Sequence, residues 1–337
     1  LAQRAADAVR VEYERLEPVI DGEEAYRKDP PAVLHPNLRD YETSEVLPPI
    51  FVDGRPNVYQ HYSVRHGDAD AAFEQADRVY EDEYRTAPID HVCMEPHVAV
   101  ARPEGNGGLT IWTSCQAVHK IKNWTARILD MPPTKLRMIE PYVGGGFGGK
   151  ESPLLEPVVG KLAELTGRPV KLLHTREEEF KNGMISGEFR TRVKTGVTED
   201  GDIVAREVEA ICPGGGYTST GYMVARNATF AVANSYSISN VTIDTYGVYT
   251  NTPVSGSFRG FGNRQLMFPL ESQLDDIARD LGLDPIAFRR QNVLEEGEVT
   301  AFNERRTHVV SRKCLDVAAE RLGSNPYGPR DDGDGWV

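Results

Sequence analysis

Residues 141–152 read PYVGGGFGGKES, and this run constrains the fold more than any other feature of the chain. Five of the six positions from 144 to 149 are glycine, and Phe147 is the exception. Glycine loses the most conformational freedom on ordering and offers no side chain to pack, so such a run belongs in a loop rather than a helix or strand. So much bare backbone suits a close approach of N–H groups to something large and flat. The spacing Gly144-x-x-x-x-Gly149-Lys150 also matches the start of a phosphate-binding P-loop, which requires Ser or Thr next and an immediate helix. Glu151 stands there instead. It brings no hydroxyl for magnesium and would repel a phosphate, while Ser152-Pro153 delays the helix. A glycine-rich turn is the plainer alternative, although turns rarely need so many glycines.

A second cluster, SGSFRGFGNRQ at residues 255–265, repeats this chemistry about a hundred residues later. Arg259 and Gln265 can hydrogen-bond an oxyanion or oxo group, and Phe258 and Phe261 offer flat apolar faces.

The surrounding pattern mixes helices and strands, so the expected class is α+β. Residues 1–20 read as an Ala-rich helix running into a strand at 9–13. Residues 28–57 are Pro-rich and patternless, which suggests a linker. Strand signals follow at 58–67, 78–86, 109–113, 136–139 and 241–249, with a buried strand expected at 170–175. Asp200-Gly201 between the β-rich runs 191–197 and 203–211 predicts a hairpin. Helical spacing places Ile121, Trp124 and Ile128 on one helix face. The same spacing puts Leu155, Val158, Leu162 and Leu165 on a second face, and Leu270, Leu274, Ile277 and Leu281 on a third. Asp284-Pro285 reads as an N-cap and first-turn proline, and a last helix is expected near 313–322.

Composition narrows the function classes. The formal charge is −13, from 38 basic and 51 acidic residues, which argues against a general nucleic-acid or anionic-membrane binder. No run approaches the roughly 18 apolar residues of a membrane helix. Cys93, Cys115, Cys212 and Cys314 form no C-x-x-C pair, so no zinc ribbon or iron–sulfur set is expected, and scattered thiols fit a reducing, cytoplasmic compartment. The spacing of His91, His97, His119 and His174 suggests no compact ligand set, and these histidines read as structural.

Taken together, the two glycine loops resemble those of the molybdenum hydroxylases of the xanthine dehydrogenase and aldehyde oxidase type. GGGFGGK at 144–150 resembles the family's first molybdopterin-contacting loop, and FRGFG at 258–262 resembles its second. TSCQ at 113–116, HVCMEPH at 91–97 and VRVEYERLEPVI at 9–20 are similar to further family segments. The implied architecture is the tail of an α/β hammerhead domain (residues 1–27), a linker (28–57) and the first molybdopterin-binding domain (58–337). Missing are the start of the hammerhead and the second molybdopterin domain, whose Gly-x-Gly-Glu-type segment holds the family's catalytic glutamate. A subunit split into two polypeptides, as in nicotinate-dehydrogenase-like members, would account for the early stop.

The resemblance implies hydroxylation of a carbon on a heteroaromatic ring with water-derived oxygen, and partner subunits carrying the catalytic glutamate, 2Fe-2S centres and FAD. Molybdopterin, as such or as a cytosine dinucleotide, would hold the metal, with no side chain ligating it. By the same resemblance Gln116 would bond the molybdenum oxo ligand, and Gly146, Phe147 and Gly148 would approach the cofactor through backbone groups. Phe258 and Arg259 would contact the cofactor, and Phe261 would stack on the substrate ring. Glu151 would hydrogen-bond the heterocycle and Arg226 would stabilise charge developing on it. This pair favours a purine-like or pyridine-like substrate over an aldehyde or an aromatic thioester; carbon monoxide is disfavoured by the lack of a VxxRCSFR loop. A cofactor-free assembly subunit is the reading from another class, and intact Gln116, Arg259 and Phe261 argue against it.

Overall fold

The structure, a computed structural model, describes residues 2–40, 52, 54–234 and 236–322. In chain order the first elements are α1 (Ala2–Asp7), α2 (Gly22–Tyr26), β1 (Val58–His66), α3 (Ala69–Gln75) and β2 (Arg78–Thr86). Next come β3 (Val98–Pro103), β4 (Leu109–Thr113), α4 (Val118–Ile128), β5 (Leu136–Ile139), α5 (Glu156–Thr166), β6 (Val170–Leu173) and α6 (Arg176–Asn182). The rest are β7 (Phe189–Val197), β8 (Ile203–Gly215), α7 (Gly221–Asn234), β9 (Val241–Tyr249), α8 (Asn263–Asp280), α9 (Pro285–Asn292) and α10 (Ser311–Leu322). The α+β class holds.

Two sheets organise these elements. The larger has the order β1-β9-β8-β7-β2, and the smaller β5-β4-β3-β6. The hairpin forms as expected, with β7 antiparallel to β8 and Gly201 at φ +90° in the connection. Each sheet also contains one parallel pair, β8 with β9 and β4 with β5. A parallel pair needs a crossover, supplied here by α7 and α4, and it delivers two chain segments at the same sheet edge. That geometry places both glycine loops: the first follows β5 beside the end of β4, and the second follows β9 beside the end of β8.

The main core lies between the larger sheet and α7 and α8, where Leu266, Leu270, Leu274 and Ile277 are fully buried. A second core joins the smaller sheet to α4 and α5 through Ile111, Ala126, Val159 and Ala163. Val19 and Ala25 pack against Val58, Ile211 and Val248 on the larger sheet.

Four expectations need correction. Residues 9–13 form no strand, and Val9, Val11 and Tyr13 are exposed, because no neighbouring strand among the described residues takes up their backbone hydrogen bonds. β6 is an edge strand paired only with β3, and Leu173 is half exposed rather than buried. On α4 the buried face is Ile121, Thr125 and Ala126, while Trp124 and Ile128 face outward. On α5 the small residues Val159, Gly160 and Ala163 meet the sheet, leaving Val158, Leu162 and Leu165 exposed. Close packing explains this choice: a Cβ on Gly160 would lie 2.8 Å from Leu129. The C-terminal stretch RDDGDGWV lies outside the described residues.

Candidate functional site

The lysine of the first glycine loop settles the P-loop question. Lys150 is 1% exposed, and its Nζ donates to the Glu95 carbonyl (2.8 Å), Ser114 Oγ (2.8 Å) and the Glu95 carboxylate (3.2 Å). Three acceptors saturate an ammonium group, so this lysine is a strut and has no donor left for a phosphate. Glu95 Oε2 also accepts from Gly144 N–H at 2.7 Å and from Ser114 Oγ at 2.6 Å. Burial opposes ionisation of Glu95, but the bonds from Ser114, Gly144 and Lys150 outweigh it and hold the carboxyl below its usual range. The motif HVCMEPH contained this glutamate, yet sequence reading assigned it no role.

Gln116 leaves the end of β4 and reaches the neighbouring loop. Its Oε1 accepts from Gly148 N–H (2.9 Å) and Lys150 N–H (3.3 Å), while its own N–H donates to Lys150 O (2.8 Å). A Cβ on Gly146 would lie 2.3 Å from that amide oxygen, and one on Gly148 would lie 2.5 Å from Ser257 O. These two glycines are therefore required by close approach, and Gly148 also by its φ of +107°.

The loops are laced to each other. Arg259 N–H donates to Phe147 O at 3.0 Å, and Ser257 Oγ lies 3.0 Å from both Gly148 O and the Glu151 carboxylate. Ser257 N–H donates to Thr220 Oγ1, at the start of α7. His91 Nε2–H donates to Ser257 O at 2.8 Å, and its ring packs on Phe258 at 4.6 Å between centroids. Burial lowers the His91 pKa, which favours the neutral ring. Phe147 and Phe261, the aromatic residues set among the glycines, both have positive φ, +51° and +47°. Non-glycine residues held there cost about 1 kcal/mol or more each and persist where the surroundings impose them.

The structure thus brings Gln116, Gly146, Phe147, Gly148, Glu151, Phe258 and Arg259 into one connected network. Phe261 is half-buried against the main core and can offer only its free face. Arg226, on α7, is not joined to this network: its Nε is buried without a hydrogen-bond partner among the described residues, and its charge acts on Tyr62. Arg259 is exposed and has no ion pair among the described residues. No acceptor among the described residues meets the N–H groups of Gly145, Gly146 and Phe147. Sequence reading missed Ser257, Thr220 and Ser114, which carry no signal beyond being small and polar.

One histidine expectation also fails. His97 and His174 are brought together with Glu179, their ligand-type atoms all within 4.8 Å of one another. Strand pairing, invisible in the spacing, is the cause.

Comparison with known proteins agrees with this arrangement. Residues 50–293 match the model of a molybdopterin cofactor-binding domain. The chain is 36% identical over 304 residues to the nicotinate dehydrogenase large molybdopterin subunit of Eubacterium barkeri, covering 90% of this chain and 67% of that subunit. It is 32% identical over 335 residues to the xanthine dehydrogenase/oxidase of Gallus gallus, covering 98% of this chain and 22% of that protein. Among solved structures, the aldehyde oxidoreductase from Desulfovibrio gigas superposes with a TM-score of 0.83 at 26% identity, over 96% of this chain and 34% of that one. Quinoline 2-oxidoreductase from Pseudomonas putida 86 gives 0.82 at 25% identity, over 96% and 40%. The chain therefore spans only part of each of these relatives.

Proposed function

The chain belongs to the family of molybdopterin cofactor-binding domains, and from that premise we propose that it forms the cofactor-facing and substrate-facing part of a molybdenum hydroxylase acting on an N-heteroaromatic ring. The residues present fit the cofactor. N–H groups of Gly145, Gly146 and Phe147 without an acceptor among the described residues, and an Arg259 guanidinium without an ion pair among them, suit a ligand rich in oxygen and sulfur acceptors. When bound, molybdopterin would supply a metal centre able to oxidise a ring carbon with oxygen taken from water.

The chain's own residues would do the positioning. Gln116, locked by Gly148 and Lys150, presents its amide at the loop, and Arg259 would hold the cofactor's anionic oxygens. Phe261 stacks on the planar substrate through its free face. Glu151 is the observation that carries the substrate reading. Its carboxylate is tied to Ser257 at the junction of the two loops and is half-buried. A carboxyl so placed can accept from a ring N–H or, once protonated, donate to a ring nitrogen, which an aldehyde does not require. Arg226 would contribute positive charge from α7.

The catalytic glutamate, the 2Fe-2S centres and FAD would come from partners. The outward apolar stripe of Val158, Leu162 and Leu165 supports a partner-covered face. The deciding experiment is a molybdenum count per copy on the natively purified complex, followed by turnover of xanthine, hypoxanthine and nicotinate against benzaldehyde. Near-stoichiometric molybdenum with heterocycle turnover supports the proposal. Absence of molybdenum overturns it in favour of an assembly subunit, and turnover of benzaldehyde alone moves it to the aldehyde branch.

A further inference from the structure

The geometry points to a second metal site, built from His97, His174 and Glu179 and suited to a single zinc-type divalent ion. It uses no residue assigned to the cofactor.

Strand pairing builds it. β3 and β6 run antiparallel with Val98 opposite Leu173, and one step beyond, His174 N–H donates to His97 O at 3.0 Å. Residues directly opposite on antiparallel strands project on the same face, so the two rings meet, with centroids 6.0 Å apart. The third member is set by a helix cap. Thr175 Oγ1 accepts from Glu178 N–H, and the Glu178 carboxylate accepts from Thr175 N–H, which pins the first turn of α6 and orients Glu179.

Glu179 Oε1 accepts from His97 N–H at 2.6 Å, and Oε2 lies 2.9 Å from His97 Nδ1. His174 Nδ1 is 3.2 Å from Glu179 Oε1 but lacks the alignment of a hydrogen bond, and it has no other partner among the described residues. The side chains of all three residues are 9% exposed. A buried nitrogen beside a carboxylate but not bonded to it is an orphan that a cation would satisfy.

The distances suit a tetrahedral ion. Ligands about 2.0–2.1 Å from zinc stand roughly 3.3 Å apart at tetrahedral angles, close to the 3.0 and 3.2 Å that separate Glu179 Oε1 from His97 Nδ1 and His174 Nδ1. Two imidazoles and a carboxylate make a nitrogen-rich set that calcium and magnesium do not choose. Burial leaves no row of open positions for six-coordinate iron, while a single water can complete a four-coordinate ion. An ion here would fasten β3, β6 and α6 together, two residues from Glu95, which anchors the first glycine loop.

The test uses the full chain, stripped by a chelator and titrated with Co2+ alone. The expected result is saturation at a single cobalt per chain, with the visible absorption of four-coordinate cobalt and no thiolate charge transfer from the cysteines. His174→Asn, which keeps the backbone bond to His97, should abolish that absorption while far-ultraviolet circular dichroism is unchanged. X-ray absorption on zinc-loaded wild type is decisive even if the variant does not fold: nitrogen and oxygen scatterers with an imidazole signature support the site. Sulfur scatterers, no stoichiometric cobalt in the wild type, or an unchanged cobalt spectrum in folded His174→Asn would overturn it.

Discussion

Lys150 and Glu95 are joined twice, Nζ lying 2.8 Å from the carbonyl oxygen and 3.2 Å from the carboxylate of the same residue. The pair holds the first glycine loop to the segment before β3. Lys150→Met keeps length and apolar volume but strands both oxygens and Ser114. A loss of roughly 2–4 kcal/mol is expected, because a half-broken buried pair leaves its partner uncompensated. Urea denaturation should show this as a lower midpoint at unchanged slope. Adding Glu95→Gln should cost less than the sum of the single changes.

Gly148→Ala should be far worse than Gly105→Ala. The first places a Cβ 2.5 Å from the Ser257 carbonyl at φ +107°, while the second meets nothing within 4 Å. Strain and overlap at Gly148 should cost about 2 kcal/mol or more, against within about 0.5 kcal/mol at Gly105. Molybdenum occupancy in the purified complex should fall only in the Gly148 variant.

Asp244 gives a pH prediction. Burial alone would raise its pKa, but hydrogen bonds from His61 and Arg65 prevail and lower it. A carboxyl with a depressed folded pKa contributes stability that is present above its unfolded value, near 3.9, and is lost as pH falls through the folded value. Asp244→Asn should therefore lose about 1–2 kcal/mol at neutral pH and converge on the wild type as pH falls through the depressed folded value, read from thermal melts across pH. A constant gap at all pH would sink this account.

Glu151→Gln should separate substrates. A neutral amide can no longer accept in both of its positions or deliver a proton, so kcat/KM for the heterocycle should drop about 10- to 100-fold, with benzaldehyde turnover little changed. Equal losses on both would show that Glu151 supports the loop rather than the substrate.

Much of the local structure was legible in the chain. The Asp200-Gly201 hairpin, the Asp284 cap and the buried stripe of α8 are written within a few residues of one another. So are the two glycine clusters, whose content already marked the family. Amphipathic direction was harder: on α5 the larger apolar residues point outward, because the sheet accepts only the small face at that separation, and on α4 Ile121 is buried while Trp124 and Ile128 are not.

What the sequence determined by itself was local: turn chemistry, caps, periodicity and the loops that need bare backbone. Only the tertiary structure decided which distant residues meet. Parallel pairing of β4 with β5 brings Gln116 to Gly148, and antiparallel pairing of β3 with β6 sets His97 beside His174. The reason is physical: a residue's own conformational preference acts over one turn or one strand pair. The partner of a strand, by contrast, is selected by the packing of the whole core, which no short stretch encodes.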